Sequence, residues 1–131
     1  MNNQHHVTDP TLNDPDARAY TDIVGAHIYG IQPQAYPLAK THGLEYWMTE
    51  RSHLDPPYDP SIAGMGLVTA NWIHDCLARA EYNAFFYWWL AADNNNEGIT
   101  SVNLGTPKRY WVMGNYSRFI RPGYYLSLIH I

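Results

Sequence analysis

The chain has 131 residues, 46 % of them hydrophobic and 15 % charged, and a formal net charge of −4. That length holds one domain with a real core, and the composition is that of a globular protein rather than a disordered one. The charge argues against a basic nucleic-acid-binding face, no apolar run approaches the roughly 18–20 residues of a membrane helix, and the single cysteine, Cys76, excludes an internal disulfide and a cysteine-based zinc site.

Residues 1–13 are polar and read as a loop, and MNNQHHVTDP lacks the apolar stretch of a signal peptide. Asp14, Pro15 and Asp16 then open a short helix over 14–20, with a capping carboxylate, a proline at the first helical position and an acid in the first turn. DIVGAHIYG, 22–30, reads as a buried strand closed by Gly30. A brief helix over 38–42 stops at Gly43, and 44–49 is a second buried strand. HLDPPYDPS, 53–61, is a loop because its prolines and aspartates leave little else. Met65, Val68, Trp72, Ile73, Cys76, Leu77 and Ala80 recur at helical steps and predict an amphipathic helix over 65–81. NAFFYWWLA is the third strand, and 92–108 is a long polar loop of the kind that is functional or mobile. Val112, Met113, Tyr116, Phe119 and Ile120 return to helical spacing, ended by Arg121-Pro122-Gly123.

Strands apolar on both faces that alternate with helices imply a parallel sheet in an α/β layer or barrel. Nothing in the pattern closes either sheet edge, so three strands read as part of a larger sheet. In such folds chemistry sits at the carboxyl ends of the strands. Those ends carry Tyr29-Gly30, Thr49-Glu50 and Trp88-Trp89. Glu50 closes the apolar run EYWMTE and reads as a solvated strand end, a helix cap or a catalytic acid. Strict alternation puts Glu50 on the side of Met48 and Tyr46, His27 with Tyr29, and Trp89 with Phe85 and Tyr87. If that side faces a barrel opening, Glu50, His27, Tyr29 and Trp89 meet there, while Trp47 and Trp88 pack between barrel and helices. A carboxylate ringed by aromatic faces suits sugar cleavage, the ring stacking on Trp or Tyr and the acid acting at the anomeric carbon. The same aromatics serve equally as core. The histidines are scattered without metal-ligand spacing, so neither metal nor cofactor is expected.

Four segments then carry a resemblance: DPTLNDPDARAYTDIVGAHIYG, YPLAKTHGLEYWMTE, IHDCLARAEYNAFFYWWL and KRYWVMGNYSRFIRPGY. In order, over about residues 9 to 125, they resemble the C-terminal third of the catalytic barrel of glycoside hydrolase family 30, in its bacterial, glucuronoxylanase-like xylanase branch. The resemblance implies a (β/α)8 barrel whose sixth to eighth strands lie in residues 1–125, with a side β-domain beyond them. It implies a retaining endo-β-1,4-xylanase acting on xylan or glucuronoxylan and secreted to reach it. Glu50 falls on the family's nucleophile, and Tyr29 and Trp89 on residues lining the subsite of the attacked xylose. His27 reads as a lining residue. Arg109 falls on the arginine that pairs with a glucuronate carboxylate, or else simply solvates a loop end.

The departures carry weight too. The family's acid/base glutamate lies on the fourth strand, upstream of these residues, and Glu45, Glu81 and Glu97 are poor substitutes. The chain therefore reads as an inactive piece of an enzyme that lacks the N-terminal barrel half and the side domain. Leu90 and loop 92–108 depart from the glucuronate-specific branch. LSLIHI, 126–131, does not continue the family's next strand and reads as translated adaptor sequence. The alternative is a non-catalytic carbohydrate-binding remnant that stacks sugars on Tyr29, Trp89 and Tyr58.

Overall fold

The computed structural model describes residues 5–54, 57–93 and 95–126. The tail singled out at 126–131 lies, apart from residue 126, outside them. In chain order the elements are α1 (Asp9–Asn13), α2 (Pro15–Arg18), β1 (Ile23–His27), α3 (Pro37–Thr41), β2 (Glu45–Arg51), α4 (Leu67–His74), β3 (Ala84–Tyr87), β4 (Trp89–Ala92), β5 (Gly98–Ser101) and α5 (Lys108–Phe119). The chain is mixed α/β. β1, β2 and β3 form a parallel sheet in sequence order, as alternating strands and helices require.

Several elements follow from local chemistry. The Asp14 carboxylate accepts from the amides of Asp16 and Ala17 at 2.9 and 3.2 Å, so α2 starts at the expected cap. α4 is flanked by wide i→i+5 turns over Ile62–Gly66 and Asp75–Arg79, so the helix expected over 65–81 is preceded by a kink at Gly64 and loosened toward its end. The region expected as loop before residue 14 contains α1, because Leu12 is fully buried and needs a helical turn to reach the core.

The core lies on one face of the three-stranded sheet. Val24, Tyr46 and Met48 pack there against Leu12, Ile28, Tyr36, Ala39, Cys76, Ala80 and Tyr82. Tyr46 and Tyr82 stack at 4.0 Å and share a hydroxyl hydrogen bond of 2.8 Å, and the Tyr36 hydroxyl donates to Asp9 at 2.7 Å. These phenols are buried with their polar ends satisfied. The opposite face differs from the expectation of strands buried on both sides. Ile23 is 43 % and Phe86 46 % exposed, and Trp47 lies against Phe86 at 5.6 Å with its indole N–H on Glu45. Trp47 thus belongs to the uncovered face and not to the layer under the helices.

The third strand is two strands. β3 ends at Tyr87, the Trp88 amide donates to the Arg51 carbonyl at 3.0 Å, and the chain continues as β4. β4 pairs in parallel with β5 across the link 93–97, far shorter than the dozen or more residues a parallel connection ordinarily takes. The close approach needs a glycine, since a Cβ on Gly98 would fall on the Ala92 amide nitrogen. So 92–108, expected as loop, holds a strand with Asn96, Ile99 and Ser101 buried.

Candidate active site

The register between β1 and β2 decides where Glu50 points. Ala26 pairs with Met48, but the next residue, His27, pairs with Glu50, leaving Thr49 as an extra residue on β2. Two residues opposite one is a β-bulge, which bends a strand and re-aims its side chains. Gly25 makes it possible, because the Thr49 side chain occupies the space a Cβ there would need, with its nearest atoms at 3.2 and 3.3 Å. The Thr49 hydroxyl donates to the Ala26 carbonyl at 3.3 Å and pins the bulge.

Cross-strand partners share a face, and residues two apart on a strand do too. Gly25 pairs with Trp47 and His27 with Glu50, so Glu50 lies on the uncovered face with Trp47. Tyr46 and Met48 lie on the other, in the core. This corrects the alternation expected from the sequence, which holds only for a strand without a bulge. On the open face Glu50 Oε1 stands 3.8 Å from His27 Nδ1, with the His27 side chain half exposed.

The bulge sends the next residue the other way. The Arg51 guanidinium lies 4.0 Å from the Trp72 ring centroid, toward α4, and 4.9 Å over the Tyr29 ring. The Tyr29 hydroxyl meets buried Ser52 Oγ at 3.2 Å, and its ring is edge-on to His27 at 6.1 Å. The structure therefore brings Glu50, His27 and Tyr29 together at the carboxyl end of the sheet. It places Trp89 on β4, beyond the break at Trp88, 43 % exposed and 6.0 Å from the Trp88 ring. The alternation joining Trp89 to Phe85 and Tyr87 stops at that break. Trp88, expected under the helices, is about as exposed as Trp89.

Arg109 is elsewhere and fully buried. Its Nε donates to the Gly98 carbonyl at 2.9 Å, and its Nη1 to the Asp59 carbonyl at 3.0 Å and to Asn96 Oδ1 at 3.3 Å. Buried Asn96 also donates to the Pro57 carbonyl, accepts from the Asp59 amide, and receives the Tyr87 hydroxyl proton on its own carbonyl at 2.7 Å. Being buried, Arg109 does not simply solvate a loop end. It ties α5, β5 and the segment 57–61 together, with its guanidinium 5.3 Å from the Tyr58 ring. Tyr58 is drawn into that cluster and away from Tyr29, its hydroxyl donating to Gly105. Sequence reasoning missed Asn96, whose only signal was a polar residue inside the region read as loop, and read Tyr87 only as a strand residue on the side of Trp89.

His53 adjoins the same network. Thr69 gives its single hydroxyl proton to the Met65 carbonyl at 2.7 Å, so its oxygen accepts from His53 Nε2–H at 2.9 Å. Burial, with the positive charges of Arg109 and Arg51, pushes the His53 pKa down to about 4, and burial pushes the Tyr87 phenol up to about 12. Both are neutral structural groups at neutral pH. Two cavities, of about 490 and 230 Å³, lie on the α4 side and share Arg51 and Trp72 as a wall. Neither is lined by Glu50.

No family model matches the chain. The chain is 33 % identical to glucuronoxylanase XynC of Bacillus subtilis strain 168 over 126 residues, which is 91 % of this chain and 29 % of that protein. Its fold is similar to a glycoside hydrolase family 30 subfamily 8 xylanase from Clostridium acetobutylicum, with a TM-score of 0.76, 40 % identity and coverage of 89 % of this chain and 29 % of that one. A family 30 endoxylanase from Clostridium papyrosolvens C71 gives a TM-score of 0.72 at 35 % identity, covering 88 % and 29 %. The chain thus spans less than a third of the length of the relatives it matches.

Proposed function

We propose that this chain, related over about nine-tenths of its length to glycoside hydrolase family 30 xylanases, supplies the nucleophile half of a retaining endo-β-1,4-xylanase site. The observation that carries the proposal is the bulge at Thr49, which turns Glu50 out of the core and onto the open face beside His27 and Tyr29. Three parallel strands in sequence order, with an apolar face that nothing among the described residues covers, suit one arc of a (β/α)8 barrel. The open face would be the barrel interior.

In this reading the ionised Glu50 attacks the anomeric carbon of a xylose unit. The C–O bond to the leaving sugar breaks as a covalent glycosyl-enzyme forms. A second carboxyl group, about 5–5.5 Å away, protonates the leaving oxygen and later deprotonates the water that releases the product. The rest of the barrel supplies that second group. Within this chain Glu81 is paired with Lys40 at 2.6 Å and Glu45 with the Trp47 indole, both away from the opening. Tyr29 and Trp89 offer rings for the sugar. The chain by itself would not turn over xylan, and the whole enzyme would act outside the cell, where xylan is.

Xylan without a glucuronate requirement is the better substrate reading. Arg109, the one residue put forward to pair with a glucuronate carboxylate, is enclosed, with its Nε and Nη1 hydrogen-bonded to protein oxygens. The test is hydrolysis by the full-length enzyme. Glu50→Gln should lower turnover of bare xylan by on the order of 10⁴ or more, and decorated and bare xylan should be cut at similar rates. Retained turnover in Glu50→Gln removes Glu50 from the nucleophile role. Strict dependence on decoration removes the substrate reading.

A further inference from the structure

We propose that Arg51 is a positioning residue: its guanidinium, braced on Trp72, holds the Tyr29 ring in place at the opening beside Glu50. The proposal rests on the reading of Glu50 and Tyr29 as site residues, and it assigns a task to a side chain that this reading leaves unused.

The bulge gives the arrangement its logic. One extra residue at Thr49 puts Glu50 on the open face and Arg51 on the α4 face, so neighbouring residues serve opposite sides of one strand end. Tyr29 lies beyond the end of β1, just before a turn at Gly30 with φ +68°, and no ladder of strand hydrogen bonds orders it. Its side chain is held at three points: the hydroxyl on Ser52, an edge on His27 and a face on Arg51. Ser52 and Arg51 are consecutive, so the strand end that carries Glu50 also fixes Tyr29.

Arg51 is itself fixed. Its guanidinium carbon lies over the Trp72 ring, 4.0 Å from the centroid, and its carbonyl accepts from the Trp88 amide at 3.0 Å. A planar cation between two aromatic rings suits arginine better than lysine. The Arg51–Trp72 wall has space on both sides, in the cavities of about 490 and 230 Å³. A shorter, uncharged side chain at 51 would leave the Tyr29 ring with a hollow behind it and no cation to face.

The experiment compares Arg51→Lys, Arg51→Met, Trp72→Phe and Trp72→Leu in the full-length enzyme. It reads kcat and KM on a xylo-oligosaccharide, and the NMR signals of the Tyr29 ring in tyrosine-labelled protein. Arg51→Met and Trp72→Leu should each raise KM roughly tenfold with kcat within about threefold. Arg51→Lys and Trp72→Phe should recover most of the loss, and the Tyr29 signals should shift in the order of the KM effects. An unchanged KM with unmoved Tyr29 signals in Arg51→Met overturns the proposal, as does a fall in kcat with KM intact. If Arg51→Met does not fold, Trp72→Leu decides by the same two readouts. If the unmodified enzyme cleaves no xylan, the reading of Glu50 fails, and the Tyr29 signals still decide the role of Arg51.

Discussion

The surroundings of Arg109 and of Glu50 hold their charges in opposite ways. Arg109 is wholly buried, and its guanidinium makes three hydrogen bonds to Gly98, Asp59 and Asn96. Glu50 stands on an uncovered face, 3.8 Å from a histidine that is half exposed. A buried charge held by three hydrogen bonds to protein oxygens contributes to structure. A carboxylate turned outward by a bulge, with its oxygens largely unspent, is free to meet a substrate. The difference teaches that the sign of a side chain says little about its task until its partners are known.

The contrast can be broken or sharpened by measurement. The largest stability effect should come from Arg109→Met, which strips a buried charge from three oxygens. The expected loss is about 3–5 kcal/mol by urea denaturation, and Arg109→Lys should not restore it, because one ammonium cannot span the same acceptors. A loss below ~1 kcal/mol would show that the network is loose. Next come the two faces of the sheet. Met48→Ala, in the core, should cost about 2–5 kcal/mol. Phe86→Ala, on the open face, should cost under about 1 kcal/mol in this chain and much more wherever the rest of a barrel covers it. Equal costs in the chain alone would mean that the open face is not open.

The third effect is in pH. His53 is neutral in the folded chain down to about pH 4 but titrates near its ordinary value when unfolded. Between the two values the unfolded chain takes up a proton that the folded chain refuses. Stability should therefore fall as pH falls through that window, by at most ~3 kcal/mol, and level off below it. His53→Gln, which keeps a donor for Thr69, should flatten this part of the pH–stability curve. The smallest effect is on the stability of Glu50→Gln, expected within about 0.5 kcal/mol of the parent, because its contact with His27 is long, at 3.8 Å, and the histidine is half exposed.

Much of the fold was legible because it rests on local chemistry. Asp14 caps a helix, Gly43 ends one, and the apolar runs around Val24, Met48 and Phe85 make parallel strands. What failed depended on partners distant in sequence. Thr49 looks like any strand residue, and only Gly25 on the neighbouring strand reveals room for a bulge. That one residue reverses the faces assigned to Tyr46, Trp47 and Met48. The break at Trp88 was hidden by an unbroken aromatic run, and β5 by the asparagines that precede it. Glu50, His27 and Tyr29 were legible as a group because strand ends of a parallel sheet converge. Arg109 was put forward through the resemblance, and in the structure its guanidinium is buried among protein oxygens.

The central claim is that the bulge presents Glu50 as the attacking carboxylate. Trapping tests it most directly: the full-length enzyme is incubated with a 2-deoxy-2-fluoro xylobioside bearing a good leaving group, digested, and its peptides weighed. The account predicts one covalent fluoroglycosyl adduct, on the peptide containing Glu50. An active enzyme labelled at a different carboxylate, or never labelled while it inverts its product, would contradict it.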